Sequence, residues 1–170
     1  MNWPEWEALP DELRVALIDD FVASSGLVDD DVTRSLADLF VDYGDGYLTP
    51  RPLGWSPGAV TLFLADWLPR KVALDAEQRA ALPEALRRWL RFALERRAVA
   101  TEWIDPVVAE VDASLPEFEE AYDDESSWGP AKAVVAELVK RDVDLTDRAA
   151  VDDAIRAINA GQLARRLTRE

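Results

Sequence analysis

The stretch Ser56-Pro57-Gly58-Ala59-Val60-Thr61-Leu62-Phe63-Leu64-Ala65-Asp66-Trp67-Leu68 decides the fold class. Ser56 followed by Pro57 is a helix start. A serine oxygen there accepts from a first-turn amide, and proline loses nothing at the first helical position. The residues that follow are apolar nearly all round, which predicts a buried, central helix. Pro69 predicts its end. The fold is therefore expected to be a helical bundle built around Ser56 to Leu68.

Amphipathic helices flank this stretch on both sides. One is expected from Pro10 to about Ser25, with Pro10 at the first helical position and Asp11 and Glu12 at the positive end of the dipole. Leu13, Leu17, Phe21 and Val22 form its stripe, and Gly26 its C-cap. A second runs from about Asp30 to Tyr43 with Val32, Leu36, Leu39 and Phe40 inward, stopped by Gly44; an irregular loop leads to Trp55. Beyond the central stretch, Asp75 caps a short helical turn, and Pro83 opens a longer helix to about Arg97. That helix turns Leu82, Leu86, Leu90, Ala93 and Leu94 inward and Arg87, Arg88, Arg91, Arg96 and Arg97 outward, with Trp89 flanking. Thr101 caps the next helix, which tolerates Pro106 and which Pro116 is expected to kink or split.

Ser126-Ser127-Trp128-Gly129-Pro130 starts a helix to about Lys140, with Val134, Val135, Leu138 and Val139 as its apolar face. The last is expected from about Thr146 to Ala160, burying Val151, Ile155 and Ile158 and capped by Gly161, with a tail that extends as a frayed helix. No internal repeat or composition shift marks a second domain. The expectation is a compact all-α orthogonal bundle of about six to eight helices, one domain over residues 1–170, with 1–9 and 162–170 loosely ordered.

Composition narrows the chemistry. Of 170 residues 49% are hydrophobic and 31% charged, a globular balance, and neither cysteine nor histidine occurs. Without cysteine there are no disulfides, thiol nucleophiles or thiolate metal sites. Without histidine the imidazole-based triads, dyads, zinc hydrolase sites and histidine-bearing di-iron bundles are excluded. Met1-Asn2-Trp3-Pro4-Glu5-Trp6 has neither a basic nor an apolar leader region, and the apolar run 58–68 is too short for a bilayer and contains Asp66. A cytoplasmic location is expected, with no membrane partner.

The net charge is −15, with 16 arginines and three lysines, a bias that fits a GC-rich genome or a salt-adapted host. The charge lies in blocks: residues 1–50 hold 12 acidic against 2 basic residues, and residues 101–130 hold 10 acidic and no basic ones. Residues 66–100, with 8 basic against 5 acidic, lie between them. Binding to nucleic acid is disfavoured by this field. The arginines from Arg87 to Arg97 are expected to be neutralised internally, by Glu117, Glu119, Glu120 or the N-terminal aspartates; the alternative is a basic patch for an acidic partner.

Several motifs invite stronger readings and lose them. Asp42-Tyr43-Gly44-Asp45-Gly46 resembles a calcium loop, but Val41 and Tyr43 would occupy its first ligand positions, so a helix end and turn are expected instead. Glu117, Glu119, Glu120, Asp123, Asp124 and Glu125 read as a solvated acidic helix end. Asp19-Asp20 and Asp29-Asp30-Asp31 are acid groupings of the kind glycosidases place beside sugar-stacking aromatics. Yet Trp55, Trp67, Trp89, Trp103 and Trp128 fall at helix starts or on apolar faces, where packing accounts for them. Trp3 and Trp6 are the expected exposed pair. In Trp67-Leu68-Pro69-Arg70-Lys71, Arg70 and Lys71 are read as caps of the preceding carbonyls, with anion binding as the alternative.

Trp55-Ser56-Pro57, the run Phe63 to Lys71, Leu82-Pro83, Trp89 and Trp128-Gly129-Pro130-Ala131-Lys132 together resemble an uncharacterised all-helical family of actinobacteria, over residues of about 10 to 160. The resemblance implies a recurring helical domain and carries no activity or site residue. The sequence assigns no catalytic, cofactor-binding or metal residue and implies no cofactor. A non-enzymatic interaction or regulatory module with a protein partner is expected, its candidate surface comprising Trp3, Trp6, Arg70, Lys71, Arg87, Arg88, Arg91 and Arg96. Two alternatives remain open: an acidic mimic of nucleic acid that occupies a basic partner, and a carboxylate enzyme with a cleft near Asp66, Arg70 and Lys71.

Overall fold

A computed structural model describes residues 7–167, apart from the side chains of residues 162 and 166. Among these residues there are no strands, and the helices are α1 (Asp11–Ser25), α2 (Asp31–Tyr47), α3 (Pro57–Leu62), a π-helical segment (Phe63–Trp67), α4 (Leu68–Lys71), α5 (Ala76–Arg96), α6 (Thr101–Asp123), α7 (Pro130–Lys140) and α8 (Arg148–Leu167). Taking Pro57–Lys71 as one helix gives seven, within the six to eight expected of an all-α bundle.

The helix starts follow their sequence signals closely. The Ser56 side chain accepts from Ala59 N at 3.2 Å, and Asp30 from Thr33 N at 2.8 Å. Asp75 and Gln78 form a capping box: Asp75 accepts from Gln78 N at 2.8 Å, and Gln78 accepts from Asp75 N at 3.0 Å. Pro10 is a cap rather than the first helical residue, and Ala100 rather than Thr101 precedes α6.

Prolines and glycines inside helices depart from expectation. α5 runs unbroken through Pro83, and α6 through Pro116 as well as through Pro106, which it was expected to tolerate. An interior proline costs about 3 kcal/mol. α5 buries seven side chains, each stabilising by roughly 1.5–3 kcal/mol for a large apolar residue, so packing wins. Pro69 does not end its helix either. Just ahead of it the ladder widens, with Leu68 N–H donating to Phe63 O five residues back. The wider turn displaces the carbonyl that the proline ring would otherwise strike.

Gly44 lies inside α2. A Cβ there would stand 2.2 Å from Pro52 O, so this glycine lets the following loop, which contains two cis prolyl bonds, cross the helix. The calcium-like string is thus helical. Gly161 lies inside α8, which continues to Leu167. Gly26, at φ 72°, is the left-handed C-cap expected of it. Elsewhere Ala98 (φ 57°) and Asp142 (φ 54°) take that conformation. At Ala98 the N–H of Val99 reaches back to Leu94 O, closing the end of α5.

The core centres on α5 rather than on the Ser56–Leu68 stretch. Trp89 is fully buried, at 0% exposure, and meets Phe21 of α1 at 5.2 Å and Phe40 of α2 at 5.9 Å between ring centroids. The Pro57–Lys71 helix buries Val60, Phe63, Leu64 and Leu68 but leaves Leu62 58% exposed. Leu9 is buried and its N–H donates to Asp45 Oδ2 at 3.0 Å, which ties the residues before α1 to α2.

α7 and α8 form a hairpin outside this core, with Leu138 and Ile158 as its buried apolar residues. Val135 and Val139, expected inward, are exposed. The hairpin is fastened at its start: Gly129 N–H donates to Arg70 O at 2.9 Å, and Lys132 Nζ to Pro69 O at 2.7 Å.

Identical substitutions at Gly44 and Gly46 are expected to act in opposite directions. Gly44→Ala lowers unfolding stability by about 1–3 kcal/mol because Pro52 cannot give way. Gly46→Ala raises it by up to about 1 kcal/mol, because no atom lies within 4 Å of its Cβ and alanine favours the helix. Trp89→Ala is expected to cost about 3–5 kcal/mol. Urea denaturation of the variants measures all three.

Candidate interaction surface

Phe63 is fully buried at the head of the π segment and is the inner wall of an aromatic cluster. Trp67 stacks on it at 5.6 Å and 22°, and Trp55 meets it edge-on at 5.5 Å. From α2, Tyr43 packs against Phe63, Trp55 and Trp67. Tyr47, one turn later, stacks on Tyr43 at 5.1 Å and 25° and meets Trp67 at 6.5 Å and 73°. Tyr47 is 62% exposed and Trp67 is half-buried. Two rings thus form a corner at the surface, each backed by a more deeply buried ring. Burial raises the Tyr43 phenol, with further contributions from Tyr47 and Asp66.

Asp66 and Arg70 flank the corner. They close on each other in a forked pair one turn apart, at 3.0 and 2.7 Å, so Arg70 neither caps a carbonyl nor stands free for an anion. Lys71 is exposed at the end of α4.

Behind α4 lies a residue that the sequence reading did not single out. Lys132 is only 4% exposed; besides its bond to Pro69 O, its ammonium sits 3.8 Å from the centroid of the Tyr122 ring and 4.7 Å from that of Trp128. Trp128 Nε1 in turn donates to Tyr122 O at 3.1 Å. Burial, with the Arg79 guanidinium nearby, brings the lysine down to about 8 from its ordinary 10.5, against the pull of Asp123. A lone lysine four residues after a tryptophan was the only sequence signal for this.

The arginines of α5 are engaged within the molecule. Arg87 pairs with Glu84 and Asp112, Arg88 with Glu84 and the Ser25 carbonyl, Arg91 with Asp105 and Arg96 with Asp20. Internal neutralisation is therefore what the structure shows, through Asp20 and the first half of α6 rather than through Glu117 or Glu120. Arg79 takes Glu119 and Asp123. Asp124 accepts from Ser126, and Glu125 pairs with Lys140, so much of the acidic helix end is engaged as well. Among the described residues no three acidic groups converge as metal ligands. Trp3 and Trp6 lie outside the described residues. Trp103, expected to pack, is 68% exposed on α6.

The burial of Lys132 has a pH consequence. Its amine loses its proton near pH 8 in the folded chain and near 10.5 in the unfolded one, so between these values the unfolded state binds more protons and stability rises with pH. Above about pH 10 the Tyr43 and Tyr122 phenols, both raised by burial, act in the opposite sense. Denaturation at successive pH values is expected to show the rise between 8 and 10 in the wild type and its absence in Lys132→Met. A 13Cε titration of Lys132 should show a midpoint near 8.

No family model, no curated protein and no solved structure matches the chain.

Proposed function

We propose that the protein is a non-enzymatic cytoplasmic module that binds another protein through the surface of Tyr47, Trp67 and Leu62. The observation that carries this reading is the aromatic corner. Tyrosine and tryptophan rings supply much of the energy of protein interfaces, since they bury large area while few torsions are lost. Tyr47 and Trp67 are held in place by Tyr43 and Phe63, so ordering them on binding costs little further entropy. Leu62, 58% exposed, lies about one turn earlier on the same helix. No described helix is long and apolar enough to cross a membrane.

The two alternatives have less support. Enzyme chemistry at Asp66, Arg70 and Lys71 would need a group poised for proton transfer, whereas Asp66 and Arg70 are closed on each other. Mimicry of nucleic acid would need an array of unanswered carboxylates. Asp19, Asp20, Asp29, Asp38 and Asp42 in the N-terminal block are all paired with arginine, and so are Asp105, Asp112, Glu119 and Asp123 in the second.

The experiment is cross-linked capture of partners from the native host by wild type, by the double variant Tyr47→Ala Leu62→Glu, and by Trp103→Ala. A stoichiometric protein partner retained by Trp103→Ala, lost with the double variant and insensitive to salt is the expected result. Binding that survives the double variant and collapses between 50 and 200 mM salt, as is typical of phosphate-like contacts, would sink this reading in favour of mimicry.

A further inference from the structure

A second feature lies at the C-terminal end of α5 and is chemically distinct. Leu13 and Leu17 of α1 and Leu53 of the loop before α3 are among the apolar residues that line a pocket of about 290 Å³, to which Arg51, Arg96 and Arg97 also contribute. An apolar chamber bordered by guanidiniums is unusual in a chain of net charge −15.

The three arginines are not equivalent. Arg51 approaches Asp45 at 3.7 Å and donates to the Glu7 carbonyl at 2.9 Å. Arg96 pairs with Asp20 at 3.0 Å and lies over the Phe92 ring at 5.6 Å. Asp20 and Asp45 thus each have an arginine within ion-pair distance, although the buried Asp45 Oδ1 accepts no hydrogen bond. Arg97 makes no ion pair among the described residues and is exposed, so it is the surplus positive charge of the pocket. The carbonyls at this helix end would repel an anion, but two are occupied: Ala98 N–H donates to Glu95 O at 2.8 Å and Val99 N–H to Leu94 O at 3.0 Å. The left-handed turn at Ala98 that permits these bonds also ends the helix just past Arg97.

We propose that this pocket binds a small amphipathic carboxylate, with its hydrocarbon chain against Leu13, Leu17 and Leu53 and its head group on Arg97. The volume is at the lower edge of the range for small-molecule sites, which fits a single unbranched chain and excludes a nucleotide or a fused-ring ligand. An arginine fork matches a carboxylate with two parallel hydrogen bonds, and it gains most where the competing carboxylates already have partners. The site shares no residue with the aromatic corner, so it stands or falls independently of the proposed protein interface.

Octanoate is the probe, added to the full chain and followed through the backbone amide signals. Saturable 1:1 binding is expected, with shifts concentrated at Leu13, Leu17, Leu53 and Arg97. Arg97→Ala should weaken it roughly tenfold, the loss expected for one charge-assisted contact, while Arg97→Lys should recover only part of the affinity, because an ammonium lacks the fork. Octanol should bind more weakly than octanoate. Absence of saturation at millimolar octanoate, shifts located elsewhere, equal affinity for octanol, or an unchanged affinity in Arg97→Ala would each overturn the proposal. Because Arg97 is exposed and makes no ion pair among the described residues, its variants remain folded, and the thermal transition verifies this.

Discussion

The burial of Trp89 is the constraint on which the remaining structure depends. Its indole lies where α1, α2 and α5 meet, and its Nε1 is buried without a hydrogen-bond partner. An unpaired donor costs about 1–3 kcal/mol. Burying an indole of 150–250 Å² contributes about 4–6 kcal/mol at 25 cal/mol per Å². Area therefore outweighs the missing bond, and the three helices are drawn onto one ring. From Trp89 the ring contacts continue without a break: through Phe40 to Phe63, and from Phe63 to Tyr43, Trp67 and Tyr47. The exposed aromatic corner is the outer end of this core.

Electrostatics shapes the surface without holding the fold together. The pairs that join α5 to α6 and α1 to α2 are largely exposed, and each contributes at most about 1 kcal/mol. Their larger effect is on what the surface offers. Two acidic blocks that would repel each other in an extended chain fold against arginines from neighbouring helices. The basic helix then has little charge left to present, except at Arg97. The polar contact within the bundle between α3 and α6 follows the same logic, with Glu110 accepting from Thr61 at 2.9 Å and Ser114 at 3.0 Å.

The α7–α8 hairpin is attached by different means. The Trp89-centred core does not extend to Leu138 and Ile158, and the hairpin begins with directional bonds to the carbonyls of Pro69 and Arg70. A buried ammonium is tolerated there because two aromatic faces and one carbonyl replace part of its hydration. α4 therefore serves two neighbours at once. Its approach carries Trp67 and Asp66 on the outer face, and its own carbonyls hold Lys132 and Gly129 behind.

Helix identity, approximate extent and most inward faces, though not that of Val135 and Val139 on α7, were legible in the sequence, because they follow from local periodicity and from caps such as Ser56, Asp30 and Gly26. So was the absence of imidazole and thiol chemistry. Glycine and proline were the weak points. Gly44 reads as a stop, yet it is a crossing point for a loop some eight residues away. Pro69, Pro83 and Pro116 read as breaks, yet packing carries the helices through them. The surface behaves likewise. Arg87, Arg88, Arg91 and Arg96 read as internally neutralised and Arg70 as a helix cap, but which carboxylates answer them, one turn away or on another helix, was not legible. Nothing local distinguishes the exposed Trp103 from the buried Trp89, and only its spacing from Trp128 hints that Lys132 is caged. Interactions within one or two helical turns made the helices and their caps readable along the chain. The π segment, the aromatic corner, the pairing of the arginines and the pocket at Arg97 instead depend on which helices meet, and those contacts lie far apart along the chain.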